Sequence, residues 1–255
     1  MNEISQRVEP FGTKVIGISD EDADTVKPFA EKMDMMYYVG VNAGTDGLEY
    51  KGIPFAAVVN SKQKVEWAGH PMKPDFEKTV YKLTEQNAGK LRSAFKASRQ
   101  KSPGAAYQEL KSEQGAKAEK AREIIENNHQ KMKESAKTKA TVEKYQTLKT
   151  TYNLYHGVPG SEQLAETLDK LEQKSDVKKH IKDQKPFNEL EKQVQAIRRK
   201  AEKIAEDKSD AAAQKYYIKE LRTILKDFVD KHPDNSKTPQ MKKTLQQLNN
   251  QLQNQ

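Results

Sequence analysis

The chain has 255 residues, five histidines and no cysteine. Without a thiol it can form no disulfide, hold no metal through thiolate and attack no substrate as a cysteine nucleophile. The histidines stand at positions 70, 129, 156, 180 and 232, and no two are three or four residues apart, so no helical metal-binding pair exists. His70 sits between Gly69 and Pro71, where it reads as a loop residue at a strand end rather than an acid–base group. Asp20, Asp22 and Asp24 alternate as calcium-loop ligands do, but no glycine follows at the place such a loop needs. They read as a solvated helix entry, where negative charge suits the helix dipole. Neither a metal site nor a cofactor is expected.

The tripeptide Gly52-Ile53-Pro54 is the remaining candidate, and it heads residues 52–71, GIPFAAVVNSKQKVEWAGHP. This stretch reads as a β-hairpin. Residues 55–60 are apolar and partly β-branched, 61–64 form a polar turn, and 65–68 return, with Gly69 ending the second strand. Pro54 stands at the head of the first strand, one of the few places in a sheet that tolerates proline, and an X-Pro bond can be cis at modest cost. Trp67 on the return strand reads as a packing residue on one sheet face.

Other elements must position this hairpin. Residues 1–8 read as a helix end with Ile4 and Val8 on one face, closed by Pro10 and Gly12. Residues 15–19 read as a buried strand, 25–33 as a helix, 37–41 as a short strand, 42–47 as a turn, and 75–83 as a helix introduced by Pro74.

The order "Gly-Ile-Pro, apolar strand, turn, strand, Gly-His-Pro, helix", preceded by Lys14-Val-Ile-Gly-Ile-Ser-Asp20, resembles the C-terminal half of the thioredoxin fold in TlpA-like and redoxin-like thiol–disulfide oxidoreductases. The resemblance covers roughly the first third of the chain. It implies an α/β thioredoxin-like domain over residues 1–84 that lacks its first strand and the Cys-x-x-Cys segment. Two accounts stay open: a cysteine-free relative, or a longer protein in which Met1 is internal. The resemblance also implies that Gly52, Ile53 and Pro54 form the cis-proline loop, which offers backbone to an extended peptide by strand addition. Such a domain without its central strand would expose two rows of unpaired backbone groups.

Charge and texture change after residue 84. Residues 1–84 carry 10 Lys+Arg and 13 Asp+Glu, and residues 85–255 carry 35 and 24, for net charges of −3 and +11. Residues 85–255 are rich in Ala, Lys, Glu, Gln and Leu and read as a basic all-helical region. Helices are expected over about 117–129, 141–155, 161–171, 187–205 and 210–229, with a last one ending near Leu248. Pro103, Gly104 and Gly115 read as breaks, and Pro186 as a helix start. Two helix–turn–helix passages, around Tyr155 and Pro159 and around Phe228 and Pro233, are alike, and the end of the chain resembles a tetratricopeptide-like hairpin as well as it does a plain bundle.

Arg198-Arg199-Lys200 is the one dense basic cluster; elsewhere Lys alternates with Glu and Asp, as on solvated helix faces. Nucleic acid is not expected as a partner, and any such binding should be weak and read phosphate alone. No apolar run is long enough for a membrane helix, and no signal-peptide core is visible near Met1, although relatives of the resembled family are commonly exported. The functional expectation is a member or fragment of the TlpA-like oxidoreductase family that is redox-inactive in this chain. The alternative is a non-catalytic binding or scaffold protein, with a protein or peptide partner at the proline loop or the helical surface.

Overall fold

In the computed structural model, which describes residues 1–44 and 52–253, the chain starts with a two-turn helix, α1 (Asn2–Val8). A 3-10 turn (Glu9–Phe11) follows and is closed by Gly12 at φ 88°. Then come β1 (Ile16–Ile18), α2 (Ala23–Lys32), β2 (Tyr38–Gly40), β3 (Ala56–Val59), β4 (Val65–Gly69) and α3 (Pro74–Ala88). Helices make up the remainder: α4 (Arg92–Gln100), α5 (Pro103–Leu110), α6 (Ala116–Ser135), α7 (Thr141–Tyr155), α8 (Glu162–Glu172), α9 (Ser175–Asp207), α10 (Asp210–Lys231) and α11 (Thr238–Gln253). The turn expected over 42–47 lies partly outside the described residues.

The starts of these helices have local causes. The Asp22 carboxylate accepts from the Thr25 amide at 2.8 Å and caps α2. Hydrogen bonds from Thr25, its backbone amide first, hold the Asp22 carboxyl below its ordinary pKa. Ser102 accepts from the Ala105 amide at 3.1 Å and Pro103 occupies the first turn of α5, so the Pro-Gly pair read as a break is a helix start. Ser209 caps α10 in the same way, accepting from Ala212 at 3.2 Å.

The expected thioredoxin-like α/β domain is not what the chain forms. About 70% of it is helical, and among the described residues the four strands fall into two separate two-stranded sheets. β1 pairs with β2 in parallel, matching Ile16 with Tyr38 and Ile18 with Gly40. β3 pairs with β4 antiparallel, matching Ala56 with Gly69 and Val58 with Trp67, with an irregularity after Val58. Strands of three to five residues in pairs cannot bury both faces of a sheet. The core is instead helical.

The chain divides into two units, Met1–Leu171 and Glu172–Gln255, whereas the sequence reading puts its boundary after residue 84. The later boundary has a simple cause. One core holds Val8, Phe11, Val58 and Phe76 together with Phe95, Tyr107, Leu110, Ile125 and Tyr155, so residues beyond 84 fill the space that a larger sheet would have covered. Phe11 meets Phe95 edge-on, with centroids 5.3 Å apart, and Trp67 leans on Phe76 at 5.1 Å. Each such buried ring contributes about 1.5–3 kcal/mol. Two arginines close helix ends from outside: Arg7 donates to carbonyls at the end of α4, and Arg122 to the Leu110 and Glu113 carbonyls after α5.

In the second unit α10 packs against both α9 and α11 around Leu190, Ile218, Leu225, Phe228, Met241 and Leu248. The helix expected to open at Pro186 in fact runs from Ser175 straight through it. A proline inside a helix leaves the carbonyls of the preceding turn poorly served. The turn before α11 binds the helical turn that precedes Pro186: the Asn235 side-chain amide donates to the Asp183 carbonyl at 2.8 Å, and the Ser236 amide donates to the Asp183 carboxylate at 3.2 Å. Among the described residues no helix is long and apolar enough to cross a membrane.

Candidate functional site

The Gly52-Ile53-Pro54 loop lies at the open end of the β3–β4 hairpin, and the Ile53–Pro54 bond is cis, as the sequence reading expects. Ile53 is 87% exposed. Ile53 precedes β3 by three residues, and Met72, 84% exposed, follows β4 by three. Two large apolar side chains thus stand in water at one end of one hairpin. The His70 ring nitrogen accepts from the Met72 amide at 3.3 Å, so the histidine serves its own turn. Trp67 packs inward, partly buried against the core, and one edge of its ring lies over Gly69.

More of the same character lies nearby in sequence. Among the described residues, ten of the eleven large apolar side chains that stand exposed belong to residues 1–72. Ile16 and Ile18 lie on one face of β1, and Tyr38, opposite Ile16, shares that face. Phe29 and Met33, one turn apart, are exposed at the end of α2. Such a concentration departs from the scattered single exposures of an ordinary surface.

A second place was not visible in the sequence. A cleft of about 500 Å³ opens between α1, the 34–36 segment, α6 and α7. Asn2 and Gln6 reach it from successive turns of α1, Met132 and Ser135 from α6, and Thr147, Thr150 and Leu154 from one stripe of α7. Its rim is tied by polar bonds. The Asn2 side chain donates to the Asp34 carbonyl at 2.8 Å and accepts from the Met36 amide at 2.9 Å, as a paired strand would. Lys139 pairs with the Asp34 carboxylate and donates to the Thr147 hydroxyl. These residues come from four elements, so no local spacing could have announced them.

The polar layer behind the cleft is buried. Gln6, Asn128 and His129 are each less than 5% exposed, and Tyr155 is fully buried. The Tyr155 hydroxyl donates to Gln6 Oε1 at 3.1 Å, and the His129 ring stacks on the Tyr155 ring with centroids 5.4 Å apart. His129 Nε2 and Asn128 Nδ2 have no partner. Burial, helped by the nearby Lys133 charge and opposed by Glu162, pushes the His129 pKa down from 6.5 to about 4. Burial keeps the Tyr155 hydroxyl protonated. No motif match accompanies this geometry. Comparison with protein-family models, with curated proteins and with solved structures finds no match.

The His129 environment makes stability depend on pH. The unfolded chain takes up a proton near pH 6.5 and the folded chain only near 4, so stability is complete above 6.5 and declines as the pH falls between those values. Between pH 7 and 4.5 the loss due to this residue is about 2 kcal/mol. Urea unfolding at both pH values should show that much more acid sensitivity in the parent than in His129→Phe. Equal sensitivities would show that the ring is hydrated in the folded state.

Among the described residues no three His, Asp or Glu side chains gather as a metal site. Arg198, Arg199 and Lys200 are exposed on the surface of α9.

Proposed function

We propose that the chain is a non-catalytic protein-binding module whose partner docks on the exposed apolar surface of residues 1–72, centred on Ile53, Pro54 and Met72. Thiol–disulfide exchange requires a thiolate, and this chain has no cysteine to supply one. The observation that carries the reading is the exposure of Ile53 and Met72, 87% and 84%, each three residues beyond the β3–β4 ladder. Holding two such side chains in water forfeits about 1.5–3 kcal/mol of burial for each, which a partner's apolar surface would recover. Polar backbone at a hairpin end adds register to an apolar contact, the combination used in recognition of extended segments.

A photo-crosslinking side chain at position 53 tests this in cells that express the protein. It should give a discrete covalent adduct, while the same group at the exposed Lys192 of α9 gives none. Ile53→Ser with Met72→Ser should weaken the captured complex at least tenfold. No adduct from position 53, or the same adducts from both positions, would count against the reading.

A further inference from the structure

We propose that the cleft between α1, α6 and α7 binds an uncharged peptide segment through its backbone carbonyl and amide groups. Gln6 carries the inference. It lines the cleft, yet it is only 4% exposed, so its side chain is held in the wall and is not a mobile surface group. The hydrogen bond from Tyr155 occupies its Oε1 and thereby fixes the carboxamide. Among the described residues its Nε2 is a donor without a hydrogen-bond partner. Behind it the Tyr155 ring is itself held by the His129 stack, so the donor is preorganised.

The charges of the cleft are already spoken for. Lys139 is paired with Asp34, and Glu3 with Arg7. Glu3, Asp34 and Lys139 leave the lining with one net negative charge, which disfavours carboxylates and phosphates. What remains is amide, hydroxyl and apolar surface: Asn153 and Thr150 at the rim, with Met36, Met132 and Leu154 between them. The lining includes no aromatic ring on which a sugar could stack. Neutral carbonyl and N–H groups carried on short aliphatic side chains match this wall, and Asn2 already makes that kind of pairing with residues 34 and 36.

The lining includes none of Ile53, Pro54 and Met72, so a test of one site can fail without the other. The probe is an acetyl-trialanine methylamide titrated into the full chain, followed through the side-chain amide resonances of Gln6 and Asn153. Both should shift and saturate together. The same tripeptide with a free carboxylate should bind at least fivefold more weakly. Gln6→Met should abolish the response, and Asn153→Ala, an exposed change that leaves the fold alone, should weaken it severalfold. No saturable shift at these two amides, equal binding of the carboxylate form, or shifts confined to residues 52–54 would each overturn the assignment.

Discussion

Gly104→Ala should destabilise the first unit by about 3 kcal/mol, at the upper end of what overpacking costs. A Cβ on residue 104 would lie 2.5 Å from the His156 carbonyl oxygen, 2.9 Å from the Tyr155 carbonyl carbon and 3.0 Å from the His156 nitrogen. All three are backbone atoms, so no side chain can rotate out of the way. The start of α5 and the end of α7 would have to separate. Tyr155, fully buried at the end of α7, would be drawn off the core and away from Gln6. Urea unfolding of the full chain gives the number. Gly40→Ala is the comparison, because its new methyl would meet nothing closer than 3.8 Å and should change stability by no more than about 0.5 kcal/mol. If the two variants lose the same stability, the close approach of α5 to α7 is not what residue 104 serves.

Arg7→Met should cost about 3 kcal/mol, through hydrogen bonds that a thioether cannot make. The Arg7 guanidinium donates to three carbonyls at the end of α4: Ser98, Arg99 at 3.1 Å and Lys101 at 3.4 Å. The Ser98 hydroxyl returns a bond to the Arg7 carbonyl at 3.0 Å. The Arg7 side chain is 12% exposed and Ser98 is buried, so its loss would strand the Ser98 carbonyl, while the exposed Arg99 and Lys101 carbonyls turn to water. Its other partner, Glu3, is 69% exposed, and an ion pair that open to solvent contributes little. Glu3→Gln should therefore change stability by less than about 0.5 kcal/mol, and Arg7→Lys should recover only part of the loss, since one ammonium cannot span three carbonyls and a carboxylate. Were Arg7→Met no worse than Glu3→Gln, the closure of α4 by α1 would have no energetic weight.

Both positions show where local pattern reading runs out. α7 was legible, because Tyr145, Leu148 and Tyr155 recur on one face, all buried, and the helix spans the predicted residues 141–155. The hairpin was legible for the same kind of reason: an apolar run, a polar turn and a glycine stop lie within twenty consecutive residues. Pro103-Gly104 misled, because the glycine is there for space against His156, fifty residues away, and not to end a helix. Pro186 misled because a turn beyond α10 hydrogen-bonds to Asp183 in the helical turn before it, and that support is invisible at position 186.

The sequence by itself determined what this protein cannot do with thiols, where the β3–β4 hairpin lies, and that a basic helical region follows, since composition and short-range periodicity report all three. Only the tertiary structure decided that the strands pair off in twos, that helices as far along as α7 complete the first unit's core, and that Gln6, His129 and Tyr155 meet behind a cleft. Strand partners and buried polar contacts are chosen by packing between residues distant in the chain. Gln6 and Tyr155 are 149 positions apart, and no pattern of neighbours along the chain encodes a hydrogen bond at that separation.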